Sequence, residues 1–500
     1  MLHCVQDDGF ARSRDRFEEV VGFLDGDGAS GLSHAELEDR LNTEGRELLR
    51  LLFQDHLDLR AEREPRLGGV LDADGVDRPS VEPGHGRALM TIFGEVIVTR
   101  LAYRRRAQPN LHPADGALNL PTERHSHGIR RLAATEAARG SFDDATNQIR
   151  TVTGTSVGKR QVEALTARAA QDFEAFYTSR AGTPAGAADV VIISMDGKGV
   201  VMRPEALRPA TASAANKATP KLQARLSKGE KRNRKRMAEV GAVYTVTPVS
   251  RTPADVLTSA SDSTDTPKAA PRANAKWLTA SVANDAAAVV GAVFDEAERR
   301  DPSHQRPWVA LVDGNNHQIN RIHAEAISRD LTVTTIIDFV HVIEYLWRAA
   351  WSFFDEGDPA AETWVHAKAL AVLDGKASTV AASIRRKATC LKLNKTDRLN
   401  ADRAASYLLN KAPYLDYPAA LANGWPIATG VIEGACRHLV KDRMDITGAR
   451  WGLNGAEAVL QLRAIRVNGD LDQYWTFHLN QERRRVHQSR YNNSVIPAAA

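Results

Sequence analysis

The stretch DVVIISMDGKGVVM, residues 189–202, decides the fold class of this chain. Its continuous apolar run predicts a buried strand that ends at Asp196, and the residues after it predict a second strand segment. EVGAVYTVTPV, residues 239–249, predicts a further strand. Because consecutive strands without an intervening helix tend to pair side by side, these segments predict an antiparallel start to a sheet.

Downstream of these strands, helix and strand patterns alternate. The Ser-, Thr-, Ala- and Pro-rich stretch 250–275 predicts a flexible excursion rather than a core element. Beyond it the alternation continues, with helices at 283–300, 316–329 and 339–354 and strands at 308–314 and 331–338. Strands separated by helices indicate parallel pairing, so we expect an α/β fold with a mixed sheet flanked by helices.

The segment that follows the last of these helices is too long to be an ordinary connection. Its content, ETWVHAKALAVL, ASTVAASIRRKAT and RLNADRAASYLLNKA, is helical throughout. We therefore expect an all-helical insertion at 358–425, followed by final helices at about 427–445 and 453–467.

Upstream of the sheet, the N-terminal region is mainly helical. Residues 33–61 open with a capping box, Ser33 with Glu36, and carry leucines at helical spacing, which predicts a packing or interaction helix. Residues 64–87 are rich in proline and glycine and predict a linker. TIFGEVIVTRLAYRR, residues 91–105, alternates β-branched and aromatic residues, which predicts a small β-hairpin.

Residues 128–177 predict three helices in an arrangement typical of a helix-turn-helix. Thr155 or Ser156 is the expected N-cap of the third helix. Lys159 and Arg160 fall in its first turn, where they are suited to contact DNA. An ordinary three-helix packing unit is the alternative.

The composition is typical of a soluble globular protein, with 43 % apolar and 26 % charged residues. No run approaches the ~18 apolar residues required to span a bilayer, and the first residues lack the apolar segment of a secretory signal. We therefore expect a cytoplasmic protein without membrane contact. The three cysteines are far apart, and their spacing is not that of a zinc site or a disulfide framework.

Positive charge is concentrated locally, although the net charge is only +4. The stretch KLQARLSKGEKRNRKR, residues 221–236, holds eight Lys or Arg residues against one Glu. Such a run suits counterion release from DNA phosphates, and a solvated surface loop is the alternative interpretation. Its candidate DNA-binding residues are Lys231, Arg232, Arg234, Lys235 and Arg236.

Three carboxylates stand where metal-assisted chemistry on phosphodiesters would use them. Asp196 and Asp313 each follow an apolar run that predicts a strand, and open sheets bind ligands at the carboxyl ends of strands. Glu433 lies in a predicted helix with Arg437 and Lys441 at four-residue spacing, which places these three on one side. Carboxylate oxygens suit magnesium, and two ions ~3.5–4 Å apart can cleave and join phosphodiesters. Strand-end turns and surface salt bridges are the alternatives.

Asp338 and His341 stand three residues apart at the end of the next predicted strand. They are expected either to brace an active site by orienting other groups, or to serve as a helix N-cap and a packed histidine. Neither is expected to be a direct metal ligand, because a lone Asp-His pair is an incomplete zinc site.

Together these motifs resemble ISKra-group insertion-sequence transposases, which are relatives of Mutator-like transposases. The resemblance covers about residues 90–475 and extends upstream to FGEVIVTRLAYRRR. Its main motifs occur in the family's order: VVIISMDGKGV (190–200), WVALVDGNNH (308–317), IIDFVHVIEYLW (336–347) and GVIEGACRHLVKDRMDITGARW (430–451).

The resemblance implies an RNase H-like catalytic core in which Asp196, Asp313 and Glu433 are catalytic and hold two Mg²⁺ or Mn²⁺ ions. DFVH, residues 338–341, matches the Cys/Asp-x-x-His signature of Mutator-like enzymes. Trp451 also matches a family position, where it is expected to stack on a displaced DNA base or to be a buried core residue.

The expected function is therefore that of a DDE transposase, which binds the terminal inverted repeats of its own element, cleaves DNA and transfers the strand to target DNA. Arg437 and Lys441 would contact phosphates, and a homo-oligomer would hold the two element ends together. The alternatives are an RNase H-fold nuclease or resolvase, and a domesticated DNA-binding protein that has lost catalysis.

The expected domains follow one another along the chain. They are an N-terminal helical region (1–63), a linker (64–87), a hairpin and helix-turn-helix DNA-binding domain (88–180), the first part of the catalytic core (188–357), the helical insertion (358–425), the C-terminal helices of the core (426–480) and a basic, flexible tail (481–500).

Overall fold

The computed structural model describes residues 9–217, 234–257, 267–446 and 448–498. The chain divides into two compact units. We call Met1–Ser179 together with Asp470–Ala500 the N-terminal unit, and Arg180–Gly469 the central unit.

The N-terminal unit begins with helices and a β-hairpin. The helices are α1 (Ala11–Asp25), α2 (Asp27–Ser30) and α3 (His34–Glu62), and the strands β1 (Ser80–Thr91) and β2 (Gly94–Arg104) pair antiparallel. The predicted capping box of α3 is confirmed, because Ser33 and Glu36 each accept a hydrogen bond from the other's backbone N–H. The hairpin is also confirmed, although β1 begins inside the expected linker.

Five helices follow the hairpin: α4 (Pro113–Ala117), α5 (His127–Arg139), α6 (Phe142–Thr153), α7 (Lys159–Ala170) and α8 (Phe173–Ser179). Helices α5, α6 and α7 pack around a common core that includes Ile129, Ile149 and Val162. The predicted three helices are therefore present, but the third is interrupted between α7 and α8. Its N-cap is Gly158, because the Gln161 side chain accepts from the Gly158 N–H at 3.0 Å, so the expected Thr155 or Ser156 cap was wrong.

The central unit contains the remaining strands and most of the remaining helices. In chain order these are β3 (Val190–Val201), α9 (Pro209–Lys217), β4 (Lys235–Val246), α10 (Pro253–Leu257), β5 (Ala273–Ser281), α11 (Ala286–Arg300), β6 (Trp308–Val312), α12 (Asn316–Ser328), β7 (Val333–Ile337), α13 (Phe339–Ala350), α14 (Pro359–Leu373), α15 (Ala377–Cys390), α16 (Leu399–Asn410), α17 (Tyr417–Ala422), α18 (Gly430–Ala435), a π-helix (Cys436–Lys441), α19 (Asp442–Met444) and α20 (Leu453–Val467).

The sheet of the central unit has five strands in the order β5-β4-β3-β6-β7. The pairs β5–β4 and β4–β3 are antiparallel, whereas β3–β6 and β6–β7 are parallel. This arrangement confirms the expected mixed α/β sheet, with an antiparallel start and parallel pairing where helices separate the strands.

Three strand boundaries differ from expectation. Strand β3 does not end at Asp196 but continues to Val201, because every residue of this stretch pairs with β4. For the same reason β4 begins at Lys235, within the basic run, and not at residue 239. Strand β5 was not predicted: it lies at the sheet edge and is paired only with β4, and its short apolar run follows a polar stretch.

Helices cover both faces of this sheet. On one face α11 approaches β4 so closely that a Cβ added to Gly241 would lie 2.4 Å from Val293 Cγ2, so this position requires glycine. On the other face, α18 and the π-helix pack against β3 and β4. The sheet is therefore buried on both sides, which agrees with its continuous apolar strands.

The expected all-helical insertion is present as α14 to α17, and α13 packs against α14 and α16. The end of the chain departs from expectation. Helix α21 (Leu471–Glu482) belongs to the N-terminal unit and not to the last helices of the core.

The expected flexible tail is folded over the residues described up to 498. Tyr491 is buried with Val70, Tyr103 and Leu111, and Arg485 forms ion pairs with Asp172 and Glu482. Apolar anchoring and charge pairing thus fix a segment whose composition is basic. Among the described residues, no helix combines the length and the apolar character needed to cross a membrane.

Candidate active site

Three aspartates follow the parallel pairing of β3, β6 and β7. Ser194 of β3 pairs with Leu311 of β6, and Val312 of β6 pairs with Ile337 of β7. Asp196 lies within β3, two residues beyond its last pair with β6, whereas Asp313 and Asp338 directly follow β6 and β7. By strand register these three aspartates are neighbours where the parallel pairing ends, and we call them the acidic row.

Neutral donors hold the carboxylates of the acidic row. Asp196 accepts from the Gly197 N–H at 2.6 Å and from the Cys436 thiol at 3.2 Å. Asp313 accepts from the Asn315 N–H at 2.8 Å. In the described part of the chain, no Lys or Arg side chain forms an ion pair with any of the three aspartates. The hydrogen bonds that these carboxylates accept therefore come from neutral groups.

Asp338 is fully buried and holds two segments at once. One of its oxygens accepts from the Val340 N–H at 2.7 Å and so caps α13. The other accepts from the Thr429 N–H at 3.0 Å and from the Thr429 hydroxyl. Asp338 is therefore a helix N-cap, as one alternative expected, and it also fixes the segment that leads into α18.

Glu433 lies on the segment that crosses the acidic row. Thr429, at the start of this segment, contacts Asp338, and Cys436, at its end, contacts Asp196. Glu433 stands between these two anchors and is exposed. The tertiary contacts therefore bring the third expected carboxylate to the row from a helix remote in sequence.

One group of three potential metal ligands is compact in the described residues: Asp338, His341 and Glu433 each offer an atom within 4.8 Å of the others. The expected set was Asp196, Asp313 and Glu433, with Asp338 and His341 as support. The structure thus brings the supporting pair to Glu433, and Asp196 and Asp313 do not belong to this compact group among the described residues. His341 also lies 3.7 Å from Glu344, through its Nδ1.

A fourth carboxylate, Glu239, lies on β4 beside this site. Burial raises its pKa; the nearby His317 and Arg208 act in the opposite direction, and the charge of Asp196 raises it further. Glu239 pairs with Gly197, the residue that follows Asp196 on β3.

Two side chains of the helical insertion reach the strand end at Asp313. The Tyr407 hydroxyl donates to the Asp313 carbonyl at 3.2 Å, and the Lys411 ammonium donates to the Asn316 side chain. Burial lowers the pKa of Lys411, whereas the charge of Asp313 raises it. The insertion therefore contributes polar groups next to the acidic row.

The candidate DNA-binding residues Lys159 and Arg160 begin α7 and are exposed. Lys159 forms a surface ion pair with Asp143 at 2.5 Å, with both side chains more than half exposed. Such a pair is weak and exchanges readily for a phosphate contact. DNA binding by this helix stays a prediction.

The basic run 221–236 is described only from residue 234 onward, so Lys231 and Arg232 lie outside the described residues. Lys235 and Arg236 are in β4, and Arg234 directly precedes it. The Arg236 guanidinium donates to the carbonyls of Val282, Ala206 and Ala283. This side chain therefore joins neighbouring segments, which corrects its assignment to a loop.

Arg437 and Lys441 are exposed on the π-helix. The expected four-residue face assumed an α-helix and was wrong from Cys436 onward, because a π-helix bonds residues five apart. The guanidinium of Arg463 donates to the carbonyls of His438 and Leu439 and thereby supports this unusual turn. Turns of this kind are frequent at functional sites.

Trp451 is buried, with 6 % of its surface exposed. Its indole N–H donates to the Met444 carbonyl at 3.0 Å, and the Arg443 guanidinium lies 4.7 Å from the ring centroid. The core-residue alternative is thereby confirmed, and a base-stacking role is not retained, because the ring already packs inside the unit.

Sequence reasoning missed Cys436, Thr429, Tyr407 and Lys411. Cys436 follows Glu433 by three residues, so helical spacing was the signal that could have placed it beside Glu433 on one face of a helix. No local pattern signals the other three, because their partners are on segments far away in sequence.

A comparison with models of protein families finds no match for this chain. A comparison with curated proteins finds no match either.

Proposed function

We propose that this protein is a DDE transposase whose central unit is an RNase H-like catalytic core. The observation that carries the proposal is the acidic row, crossed by the segment that bears Glu433. The sheet supports it as well, since three antiparallel strands followed by two parallel ones place Asp196 and Asp313 on adjacent strands. The motif resemblance indicates the same chemistry.

The donor set suits hard divalent cations, because it consists mainly of carboxylate oxygens without paired protein cations. Asp196, Asp313 and Glu433 would hold two Mg²⁺ or Mn²⁺ ions. When bound, such ions activate an attacking hydroxyl and stabilise the leaving oxygen. Asp338 is fully buried, caps α13 and holds Thr429, so we assign Asp338 and its neighbour His341 to positioning.

The chain's own residues would set the geometry of this site. Asp338 fixes the start of the crossing segment through Thr429, and Cys436 fixes its end on Asp196. Glu433 is thereby held at a defined place over the row. Since displacement of a reacting group by ~1 Å can cost a hundredfold in rate, these two anchors matter for catalysis.

The proposed partners are the terminal inverted repeats of the protein's own element, target DNA and further copies of the chain. Lys159 and Arg160 would contact the element ends. The exposed Arg437 and Lys441 would meet phosphates near the acidic row, together with the basic run that includes Lys231, Arg232, Arg234 and Lys235.

The test is cleavage and joining of DNA that carries the element ends, with Mg²⁺ or Mn²⁺. We expect Asp196→Asn, Asp313→Asn and Glu433→Gln to lower the cleavage rate by at least about a thousandfold, or about 4 kcal/mol. Binding to the ends should persist in each variant. Asp472→Asn, which changes an 89 % exposed carboxylate of the N-terminal unit, is the matched control.

Two outcomes would favour the alternatives. Cleavage by the unaltered protein without joined products would indicate an RNase H-fold nuclease or resolvase. Sequence-specific binding without cleavage at any metal concentration would indicate a domesticated DNA-binding protein.

A further inference from the structure

A groove of about 560 Å³ lies between α13 and the insertion helix α16. We call it the α13–α16 groove. Its size is that of a site for a small organic molecule, which typically measures ~300–1,000 Å³. The side chains that line it include Tyr345, Arg348, Asn400, Arg403, Tyr407 and Asn410. Asp402 lines it as well and is paired with Arg398 at 2.8 Å.

This groove adjoins the acidic row. His341, Tyr345 and Arg348 follow one another at helical spacing on α13, so one face of this helix leads from the row into the groove. From the other side, Tyr407 lines the groove while its hydroxyl donates to the Asp313 carbonyl at 3.2 Å. The groove is therefore only one side chain away from Asp313.

The floor of the groove is a pair of stacked aromatic rings. The rings of Tyr345 and Tyr407 lie 3.9 Å apart between centroids, with 13° between their planes. The Arg348 guanidinium lies 5.0 Å from the centroid of the Tyr345 ring. Burial raises the pKa of Tyr407, so its phenol remains a neutral donor. The guanidinium and the two rings therefore form one stack, and the outer face of the Arg348 guanidinium is suited to stack with a nucleobase.

The rim of the groove adds charge and amide groups. Arg403 is exposed and lies on α16, where its planar guanidinium is suited to bind a phosphate. Asn400 and Asn410 are exposed and offer both donors and acceptors, as the edge of a base requires. Arg348 is paired with Glu344 at 3.3 Å and half exposed, so this pair is readily exchanged.

We propose that the α13–α16 groove binds a single nucleotide of the DNA strand next to the reacting phosphodiester. Arg403 contacts its phosphate, Asn400 and Asn410 contact the base edge, and the tyrosine pair supports the base. This proposal rests on the proposed function, because it takes the acidic row as the place where the phosphodiester reacts.

The test uses the full-length chain with the substitution Asp313→Asn, so that binding is measured without cleavage. DNA containing the element end carries the fluorescent base 2-aminopurine at each position near the cleavage site in turn. We expect one position at which the fluorescence changes on binding. Adding Arg403→Gln and Asn400→Ala should abolish that change and weaken DNA binding about tenfold, whereas Arg386→Gln, which changes an exposed residue of α15, should alter neither.

An abasic site at the responding position completes the cycle. It should weaken DNA binding by the Asp313→Asn protein by a similar factor. In the protein that also carries Arg403→Gln and Asn400→Ala, the abasic site should cause no further loss of DNA affinity. Equal losses in both proteins would overturn the proposal, as would unchanged fluorescence at every position. Failure of the proposed function is distinguishable, because it would appear as absent cleavage by the unaltered chain while this binding assay remains informative.

A free nucleotide offers the same chemical groups as a nucleotide within DNA, so its binding is tested in a separate experiment. If dAMP binds the chain and Arg403→Gln abolishes that binding while DNA binding is unaffected, the groove serves a free nucleotide and the DNA proposal is wrong. If dAMP competes only with the responding base of bound DNA, the proposal is supported.

Discussion

Carboxylates cluster in two places in this chain, and the two clusters differ in the partners that the protein provides for their charges. In the N-terminal unit, Glu482 is buried against Arg130 at 2.6 Å, and Asp172 meets Arg485 at 2.9 Å. In the central unit, the hydrogen bonds to the acidic row in the described part of the chain come from backbone N–H groups, a hydroxyl and a thiol. The first assembly is compensated internally, whereas the second leaves its negative charge for cations that arrive from outside.

The histidine in the N-terminal assembly illustrates this compensation. His478 is fully buried, with Nδ1 2.7 Å from Asp172 and Nε2 2.9 Å from Arg130. Since arginine only donates, Nε2 must accept and Nδ1 must carry the proton. The assembly therefore has a complete set of partners, which suits a structural role in holding α21 against the rest of the unit.

The largest expected effect concerns Arg130, which is fully buried. We expect Arg130→Met to lower the free energy of unfolding by about 3 kcal/mol, because Glu482 and the partly buried Glu123 lose their shared buried cation and keep only Arg485 and Arg168 as partners. Urea denaturation measures the change. Arg131→Met, which removes a surface pair with Asp472, is the control and should cost less than about 1 kcal/mol. Equal effects would show that the N-terminal assembly is not a compensated one.

The next prediction concerns cations at the acidic row. Mn²⁺ at a hundred times its dissociation constant should raise the free energy of unfolding by about 2.7 kcal/mol. Asp196→Asn and Asp313→Asn should reduce this gain to less than about 1 kcal/mol. They should not destabilise the metal-free protein, since neither carboxylate forms an ion pair with Lys or Arg among the described residues. A strong destabilisation without metal would mean that the row is compensated after all.

A third, smaller effect follows from Glu482. Burial acts to raise its pKa, but the charge and hydrogen bonds of Arg130 and Arg485 outweigh it and lower the pKa from 4.5 to about 2. A depressed folded-state pKa contributes stability above the unfolded value, and this stability is lost as the pH falls from about 4.5 to about 2.

The loss should be on the order of 2 kcal/mol and should be missing in Glu482→Gln. Thermal unfolding of both proteins across this pH range provides the measurement. Parallel pH profiles would contradict the prediction.

The smallest expected effect separates the two tasks of Asp338. Serine caps a helix about as well as aspartate, but it cannot also accept from Thr429. We expect Asp338→Ser to cost about 1–2 kcal/mol of stability, because two buried donors of Thr429 lose their acceptor. Asp358 caps α14 by the same contact, to the N–H of Ala360, and Asp358→Ser should change stability by less than about 0.5 kcal/mol. If Asp338→Ser were as stable as the unaltered protein, Asp338 would act only as a helix N-cap.

The sequence by itself predicted the periodic elements of the central unit. Apolar runs located β3, β6 and β7, and helical spacing located α11 to α13 and the helical insertion. Periodicity succeeds here because each pattern reports burial of one local segment. Strand β5 was not predicted, because an edge strand is half exposed and its apolar pattern is short.

Only the tertiary structure decided which side chains meet. The strand register aligned Asp196, Asp313 and Asp338. Long-range hydrogen bonds from Thr429 and Cys436 fixed the segment that contains Glu433 next to them. The sequence predicted that residues 471–498 form the end of the core and a basic tail, but these residues pack in the N-terminal unit. These outcomes depend on contacts between segments hundreds of residues apart. Local composition and spacing determine how a segment folds, but not which distant segment supplies its partner.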